Sequence, residues 1–207
     1  KMGQMLSYLD FSGSEEVRQI FASLQDNATT IPPRIVSEVL ESEFQCNPRK
    51  QFSEWSPQPF ASGSIGQVHR AKLWDGTQVA VKVQYPGIES AIRADLRGAV
   101  LVDSLLSMIF RGLEKGALVA EMRERLLEEC DYRKELSNQN QFRGLMKDDR
   151  FVVPRVYPEL SSQRVLTMEL MGGESFRKFI SRADRDEVNR AAETLFDFTF
   201  QSIYKHQ

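Results

Sequence analysis

Two apolar stripes with helical spacing occupy the beginning of the chain. The first follows Ser14, a residue type that commonly caps helices, and consists of Val17, Ile20, Phe21 and Leu24. The second begins at the Pro32-Pro33 pair and consists of Ile35, Val36, Val39 and Leu40. Because proline is favoured in the first turn of a helix, this pair marks a helix start. The pattern predicts two or three helices, followed by a proline-rich connector over Asn47 to Pro59.

The spacing changes from helical to strand-like over residues 60–82. Two partly alternating, β-branched segments lie on either side of Asp75-Gly76, a pair that favours the positive φ angles of tight hairpins. We therefore predict a β-hairpin here. Tyr85-Pro86-Gly87 ends its second strand, because proline and glycine both interrupt a sheet.

Two long helical patterns follow the hairpin. Ile88 to Phe110 is charged at first and then strongly apolar, which favours burial against the N-terminal helices. Leu118 to Met146 is densely charged, and most of its charges suit a solvated face with ion pairs one turn apart. The sequence predicts one continuous helix in each range.

Shorter elements complete the pattern. Phe151 to Val156 predicts a strand that Pro154 confines to an edge or a bend. Arg164 to Met168 predicts another strand, after which Gly172-Gly173 lets the chain turn away from the sheet. The remaining residues predict two helices, Glu174 to Ile180 and Arg185 to Gln207.

Composition narrows the class of protein. The chain has 207 residues, enough for one large domain or two lobes, and its 27 Lys and Arg nearly balance its 29 Asp and Glu. This balance gives no support to nucleic-acid binding. Its two cysteines fit a reducing compartment, so we expect a cytoplasmic protein. The most apolar run, Ala99 to Phe110, contains Asp103 and is shorter than the roughly 20 residues that a membrane-spanning helix needs.

The candidate chemistry lies in and before the hairpin. Ala61 to Ser64 and Gly66 are small residues, so their backbone can approach a ligand such as a phosphate. Lys82 ends an apolar run of the second strand, where a partly buried cation needs an anionic partner. Alone, the loop could be an ordinary turn and the lysine a solvated one. Together and in this order they are typical of the nucleotide-binding half of a protein-kinase N-lobe. His69, in the first strand, is expected to be packed or hydrogen-bonded rather than catalytic.

Four motifs make the chain resemble the UbiB/aarF-domain family of atypical protein-kinase-like proteins, which is tied to ubiquinone and other isoprenoid-lipid metabolism. They are the K-x-G-Q residues Lys1 to Gln4, the nucleotide loop Ala61 to His69, the lysine strand Val79 to Gly87, and the E-x-D segment Glu129 to Glu135. The family's fold implies an α+β protein: a kinase-like N-lobe of antiparallel sheet and αC-like helix, with extra N-terminal helices and a truncated, helical start of the C-lobe. We expect the helical extension to cover residues 1–55, the N-lobe 56–171 and the start of the C-lobe 172–207.

The resemblance also implies roles for individual residues. Lys82 resembles the phosphate-orienting lysine, and Glu135 resembles its ion-pair partner. Lys1 and Gln4 resemble a regulatory segment that enters the cleft and is held by Glu129 and Asp131. These two acidic residues point about 200° apart on a regular helix, so both reach Lys1 only from a distorted turn or with one contact indirect. The implied nucleotide-binding residues are Ala61, Ser62, Gly63, Ser64, Ile65, Gly66, Val68, Ala80, Lys82, Glu169 and Met171. Gly63 departs from the alanine of many members, which leaves the loop freer.

The implied cofactors are ATP and Mg²⁺, and the partners are the nucleotide and either a lipid or quinone-biosynthesis proteins. We expect the magnesium ligands and the catalytic aspartate downstream of Gln207, because the chain starts at Lys1 and ends inside a helix, as a fragment would. The fragment alone should therefore not turn ATP over, and any membrane association would come from other parts of the parent. Three functions stay open: an atypical kinase or ATPase, a non-catalytic nucleotide-sensing scaffold, and an ordinary protein kinase.

Overall fold

The computed structural model describes residues 30–45, 47–98, 124–146 and 148–204. Its strands are β1 (Glu54–Ser62), β2 (Gly66–Lys72), β3 (Gln78–Gln84) and β4 (Val165–Glu169). Its helices are α1 (Pro33–Phe44), α2 (Pro48–Gln51), α3 (Ile88–Gly98), α4 (Tyr132–Leu145), α5 (Phe176–Arg182) and α6 (Arg185–Tyr204). Residues 124–128 are also helical, and Pro158–Leu160 forms a 3₁₀ turn. The helix predicted after Ser14, the K-x-G-Q motif and the apolar half of the helix predicted from Ile88 lie outside the described residues.

The four strands form one antiparallel sheet in the order β1-β2-β3-β4. The predicted hairpin is confirmed as β2 and β3, which pair in continuous register from Gly66 opposite Gln84 to Lys72 opposite Gln78. Its connection is a five-residue loop, 73–77, rather than a tight turn, since only Gly76 of the Asp-Gly pair has a positive φ, +90°. Asp75 instead accepts a hydrogen bond from the Thr77 amide, 2.9 Å.

Strand alternation gives the sheet two buried faces. One face packs on the apolar stripe of α1, where Val36, Val39 and Leu40 are buried against a cluster that includes Val79, Val81, Val83 and Val165. The other face holds a smaller cluster of Ile65, Tyr132, Val156 and Leu166. The helix predicted from Pro32-Pro33 is therefore confirmed, and it covers the face of the sheet that α4 leaves open.

The connector predicted over Asn47 to Pro59 is wrong beyond its first half. β1 begins at Glu54 and passes through Pro57 and Pro59, with register shifts on either side of Pro59. Proline has no amide hydrogen to donate, but β1 is one of the two edge strands of the sheet, so one side of it needs no partner. The predicted domain limits stay a prediction, although β1 runs across residue 55.

The single helix predicted over Leu118 to Met146 is also wrong, because the described part of this range breaks at residues 129–131. Asp131 has extended backbone angles, φ −114° and ψ 97°, and caps α4 by accepting a hydrogen bond from the Arg133 amide. The next amide, Tyr132, donates to the carbonyl of Gln163 at 2.9 Å instead of to a helical partner. An N-cap aspartate and a tertiary hydrogen bond together outweigh the helix propensity of the charged residues around them.

The last elements agree with the sequence with one exception. β4, α5 and α6 occupy the predicted ranges to within two or three residues. The strand predicted over Phe151 to Val156 is wrong: only an isolated bridge joins Val156 to Met168, beside the edge strand β4. Pro154 has no amide hydrogen for strand pairing, so the residues around it form no continuous ladder of hydrogen bonds. Its carbonyl accepts a hydrogen bond from the Gln139 side chain. Among the described helices, none is both long and apolar enough to cross a bilayer.

Candidate functional site

Lys82 and Glu135, 53 positions apart in sequence, form an ion pair on the face of the sheet that carries the smaller cluster with Tyr132 and Leu166. The Lys82 Nζ donates to both carboxylate oxygens of Glu135, at 2.9 and 2.7 Å. β3 holds the lysine and the first turn of α4 holds the glutamate. Their side chains are 25% and 38% exposed, so the pair is open to solvent and to a ligand on one side. A pair of this exposure adds little to stability.

Tyr132 supplies a second surface for the same ammonium group. Its ring centroid lies 4.6 Å from the Lys82 Nζ, a cation–π distance, and the residue is fully buried. Tyr132 and Glu135 are three positions apart on α4 and so face the lysine together. Burial, with the Glu135 charge as a smaller contribution, raises the pKa of the Tyr132 hydroxyl far above its ordinary value. This hydroxyl has no hydrogen-bond partner among the described residues.

The ion pair lies in a cleft of about 740 Å³, a volume typical of ligand sites. Ile65 from the small-residue loop lines one part of the cleft, and Ser137 and Asn138 of α4 line another. Its rim carries the charged side chains of Arg125, Glu128, Glu129 and Lys134. Glu128 binds Lys134 at 3.0 Å, and this hydrogen bond lowers the pKa of the Glu128 carboxyl. The cleft is therefore polar at its rim, with a lysine in its wall.

Five residues share one face of the sheet around Lys82. Val68 pairs with Lys82 across β2 and β3, and Lys82 in turn pairs with Leu166 on β4. Ala80 pairs with Met168 in the same way. Val68 and Ala80 were predicted from the sequence as site residues, whereas Leu166 and Met168 were not. The two-residue alternation of β4, taken with its antiparallel pairing to β3, could have identified both.

The small-residue loop joins β1 to β2. Ala61 and Ser62 end β1, and residues 63–65 form a turn that the Gly63 amide closes by donating to the Gly66 carbonyl, 2.8 Å. A Cβ at Gly66 would stand 2.5 Å from the Val83 carbonyl oxygen and 2.7 Å from the Tyr132 hydroxyl. The packing of the protein itself therefore requires glycine at position 66, whether or not a ligand also approaches the loop. At Gly63 the nearest atom is 3.7 Å away, which leaves room for alanine.

The other predicted site residues are more dispersed. Glu169 ends β4, and its amide donates to the Arg155 carbonyl at 2.8 Å, while Met171 follows as an exposed residue. Asp131 is bound by Arg133 through two charged hydrogen bonds of 2.9 Å, and these bonds lower the pKa of its carboxyl. The predicted contact of Lys1 and Gln4 with Glu129 and Asp131 lies outside the described residues.

The break at residues 129–131 is relevant to the predicted contact of Glu129 and Asp131 with Lys1. Glu129 and Asp131 lie in a turn rather than on a regular helix, which is the distortion that a shared contact would need. In the described part of the chain, no three His, Cys, Asp or Glu side chains are grouped closely enough to hold a metal ion. The cleft offers the volume and a cation that a nucleotide phosphate needs, and Ile65 is the residue of the Ala61 to Gly66 loop that lines it.

Comparison with known proteins gives the family. The model of the ABC1 atypical kinase-like domain matches residues 23–207. The mitochondrial atypical kinase COQ8 of Saccharomyces cerevisiae is 34% identical over 205 residues, which are 98% of this chain and 41% of that protein. AarF domain-containing protein kinase 1 of Xenopus laevis is 29% identical, over 100% of this chain and 40% of that protein.

A solved structure agrees with these sequences. It is a protein of Mycobacterium tuberculosis in complex with erythromycin, with a TM-score of 0.66 and 34% identity, and the match covers 90% of this chain and 48% of that one. The chain spans less than half the length of each of these relatives. Its sheet and helices have the α+β arrangement of a kinase-like N-lobe. As its lysine-strand and E-x-D motifs predicted, the chain belongs to the ABC1 family of atypical kinase-like proteins.

Proposed function

We propose that this chain is the ATP-binding portion of an atypical kinase or ATPase that supports isoprenoid-quinone biosynthesis. The observation that carries the proposal is the double contact of the Lys82 ammonium with Glu135 inside the cleft. A lysine on the third strand of a kinase-like sheet, held by a helical glutamate, is the arrangement that orients nucleotide phosphates. Family membership and the cleft volume agree with this role.

The residues around the pair have separate tasks in this proposal. Lys82 binds phosphate oxygens, and Glu135 holds its ammonium in place. The loop of Ala61 to Gly66 covers the phosphates with its backbone. Val68, Ala80 and Met168 offer an apolar surface for the base, beside the chain exit at Glu169 and Met171. Mg²⁺, when bound, would neutralise phosphate charge, and we expect its ligands beyond residue 207.

The biosynthetic setting rests on relatives rather than on geometry. Relatives named COQ8 are described as mitochondrial atypical kinases, and the motifs resemble those of the UbiB/aarF family. We propose that this chain also supports isoprenoid-quinone biosynthesis, with quinone-biosynthesis proteins or a lipid as partners. The cytoplasmic location predicted from composition stays a prediction.

The test compares two lysines in the full-length protein. Lys82→Ala should weaken ATP·Mg²⁺ binding and turnover at least about tenfold, because the phosphates lose a direct charge contact. Lys72→Ala is the matched control: this lysine, on the neighbouring strand, pairs with Glu54 at the surface and lies outside the cleft. Unchanged binding in Lys82→Ala would contradict the proposal.

Turnover separates two of the three functions that the sequence leaves open, the atypical kinase or ATPase and the nucleotide-sensing scaffold. Assays with and without lipid and a phenol resembling a quinone precursor should show ATP hydrolysis that depends on Lys82. Binding that depends on Lys82 without any turnover would instead indicate a nucleotide-sensing scaffold.

A further inference from the structure

Gln84, the last residue of β3, is a buried polar side chain with a specific partner. It is 3% exposed, and its Nε2 donates to the backbone carbonyl of Cys130 at 2.9 Å. Gln84 lies two positions after Lys82, so both side chains leave β3 on the same face. A buried amide is retained only where its hydrogen bonds are made, so this contact fixes the two backbones relative to each other.

The Cys130 carbonyl belongs to the break between the 124–128 helix and α4. The amides of Cys130 and Asp131 close the preceding turn through the carbonyls of Leu127 and Glu128, at 3.1 and 3.0 Å. Asp131 then caps α4, which carries Glu135 in its first turn. The position of this break therefore sets where α4 begins and where the Glu135 carboxylate lies.

A second set of hydrogen bonds converges on the same junction. The Tyr132 amide donates to the Gln163 carbonyl at 2.9 Å, and the Gln84 amide donates to the Arg164 carbonyl at 3.0 Å. Two consecutive carbonyls thus hold the first residue of α4 and the last residue of β3. The Gln84 side chain adds the direct link between these two elements.

We propose that Gln84 is a positioning residue that holds the 129–131 break against β3 and thereby places Glu135 opposite Lys82. The inference rests on the proposed nucleotide-binding role of the Lys82–Glu135 pair. Gln84 acts through the Cys130 backbone, so its removal should alter the geometry of the pair while leaving both charged groups in the protein.

Gln67 provides a matched control. It is also a fully buried glutamine, on the adjoining strand, and its Oε1 accepts a hydrogen bond from the Ile31 amide at 2.8 Å. Its register partner is Val83, which belongs to the α1 side of the sheet, so Gln67 faces away from Glu135. The two glutamines are therefore both buried and carry the same side-chain amide, but they lie on opposite faces of the sheet.

The experiment measures ATP·Mg²⁺ affinity by calorimetry and backbone hydrogen exchange in the full-length protein carrying Gln84→Met or Gln67→Met. Methionine keeps the volume and removes the amide. Gln84→Met should speed exchange in residues 129–135 and weaken ATP binding about five- to tenfold, whereas Gln67→Met should lower the melting temperature and leave exchange in residues 129–135 unchanged. Gln84→Asn, which withdraws the amide by one methylene, replaces Gln84→Met if that variant does not fold.

A cycle with Glu135→Gln distinguishes positioning from general destabilisation. If Gln84 acts through Glu135, then Gln84→Met should have little further effect on affinity in the Glu135→Gln background. An undiminished effect in that background, or unchanged exchange in residues 129–135, would overturn the inference. Failure of Lys82→Ala to weaken binding would overturn the proposed function instead, and the exchange measurement would still decide the role of Gln84.

Discussion

The hydroxyl of Tyr132 occupies the space in which a side chain at Gly66 would begin. A Cβ at position 66 would lie 2.7 Å from this oxygen and 2.5 Å from the Val83 carbonyl. We therefore expect Gly66→Ala to lower the free energy of unfolding by about 1–3 kcal/mol, because the buried neighbours must move. Gly63→Ala is the internal control, with open space and no positive φ, and should be neutral or stabilising by about 0.4–1 kcal/mol. Urea denaturation measures both, and equal effects would contradict this assignment.

Removing the Tyr132 hydroxyl should stabilise the protein. This oxygen is buried and has no hydrogen-bond partner among the described residues. An unsatisfied buried hydroxyl costs about 1–3 kcal/mol, so Tyr132→Phe should raise the free energy of unfolding by about 1 kcal/mol. Tyr132→Leu, which removes the ring beneath Lys82, should instead lower it by about 2 kcal/mol or more. A loss of stability in Tyr132→Phe would contradict this account and show that the hydroxyl makes a hydrogen bond.

The N-cap hydrogen bond that Asp131 makes to α4 can be tested separately from the ion pair of Asp131 with Arg133. Asp131 accepts from the Arg133 amide and also binds the Arg133 guanidinium. Asp131→Ala removes the cap and should lower the free energy of unfolding by about 1 kcal/mol. Asp131→Asn keeps a cap acceptor and should recover most of this loss, since the Arg133 side of the ion pair is exposed to solvent and the pair adds little. Equal losses in the two variants would assign the effect to the ion pair.

His69 should make stability depend on pH. Its ring is buried, Nδ1 lies 2.9 Å from the Ser56 carbonyl and so carries the hydrogen, and Nε2 lies 2.9 Å from the Gln67 amide nitrogen and so accepts. Burial lowers the pKa of His69 below its ordinary 6.5, against a smaller opposing effect of the Ser56 carbonyl.

The direction of this pH dependence follows from the neutral state of the His69 ring in the folded protein. As the pH falls through 6.5 towards the lower pKa of the folded protein, the unfolded chain binds a proton that the folded chain does not, so the free energy of unfolding decreases. Each pH unit by which the folded-state pKa of His69 lies below 6.5 can lower the free energy of unfolding by at most about 1.4 kcal/mol. Denaturation of wild type and His69→Gln at pH 7.5 and 5.5 measures it, and an equal pH dependence in both would contradict the role of His69.

The parts of the fold set by local pattern were predictable. The alternation of β2 and β3 and the order of loop, strand and lysine identified the hairpin and Lys82, whereas the pairing of Lys82 with Glu135 was expected from the family resemblance. The break at residues 129–131 was not, because the charged helical spacing continues across it and the deciding bonds come from Gln84 and Gln163, distant in sequence. Pro57 and Pro59 suggested a connector because proline is excluded from central strands. A strand is compatible with them only at the edge of the sheet, and the edge position of β1 is known only once the whole sheet has formed.

The most direct test of the central claim is a double-mutant cycle on Lys82 and Glu135, read as ATP·Mg²⁺ affinity of the full-length protein. If the two side chains bind nucleotide as one unit, Lys82→Ala and Glu135→Gln should each weaken binding, and the double variant should be little weaker than Lys82→Ala alone. The coupling should then exceed about 1 kcal/mol, roughly a fivefold change in affinity. Strictly additive effects, or affinity unchanged in all three variants, would contradict the account.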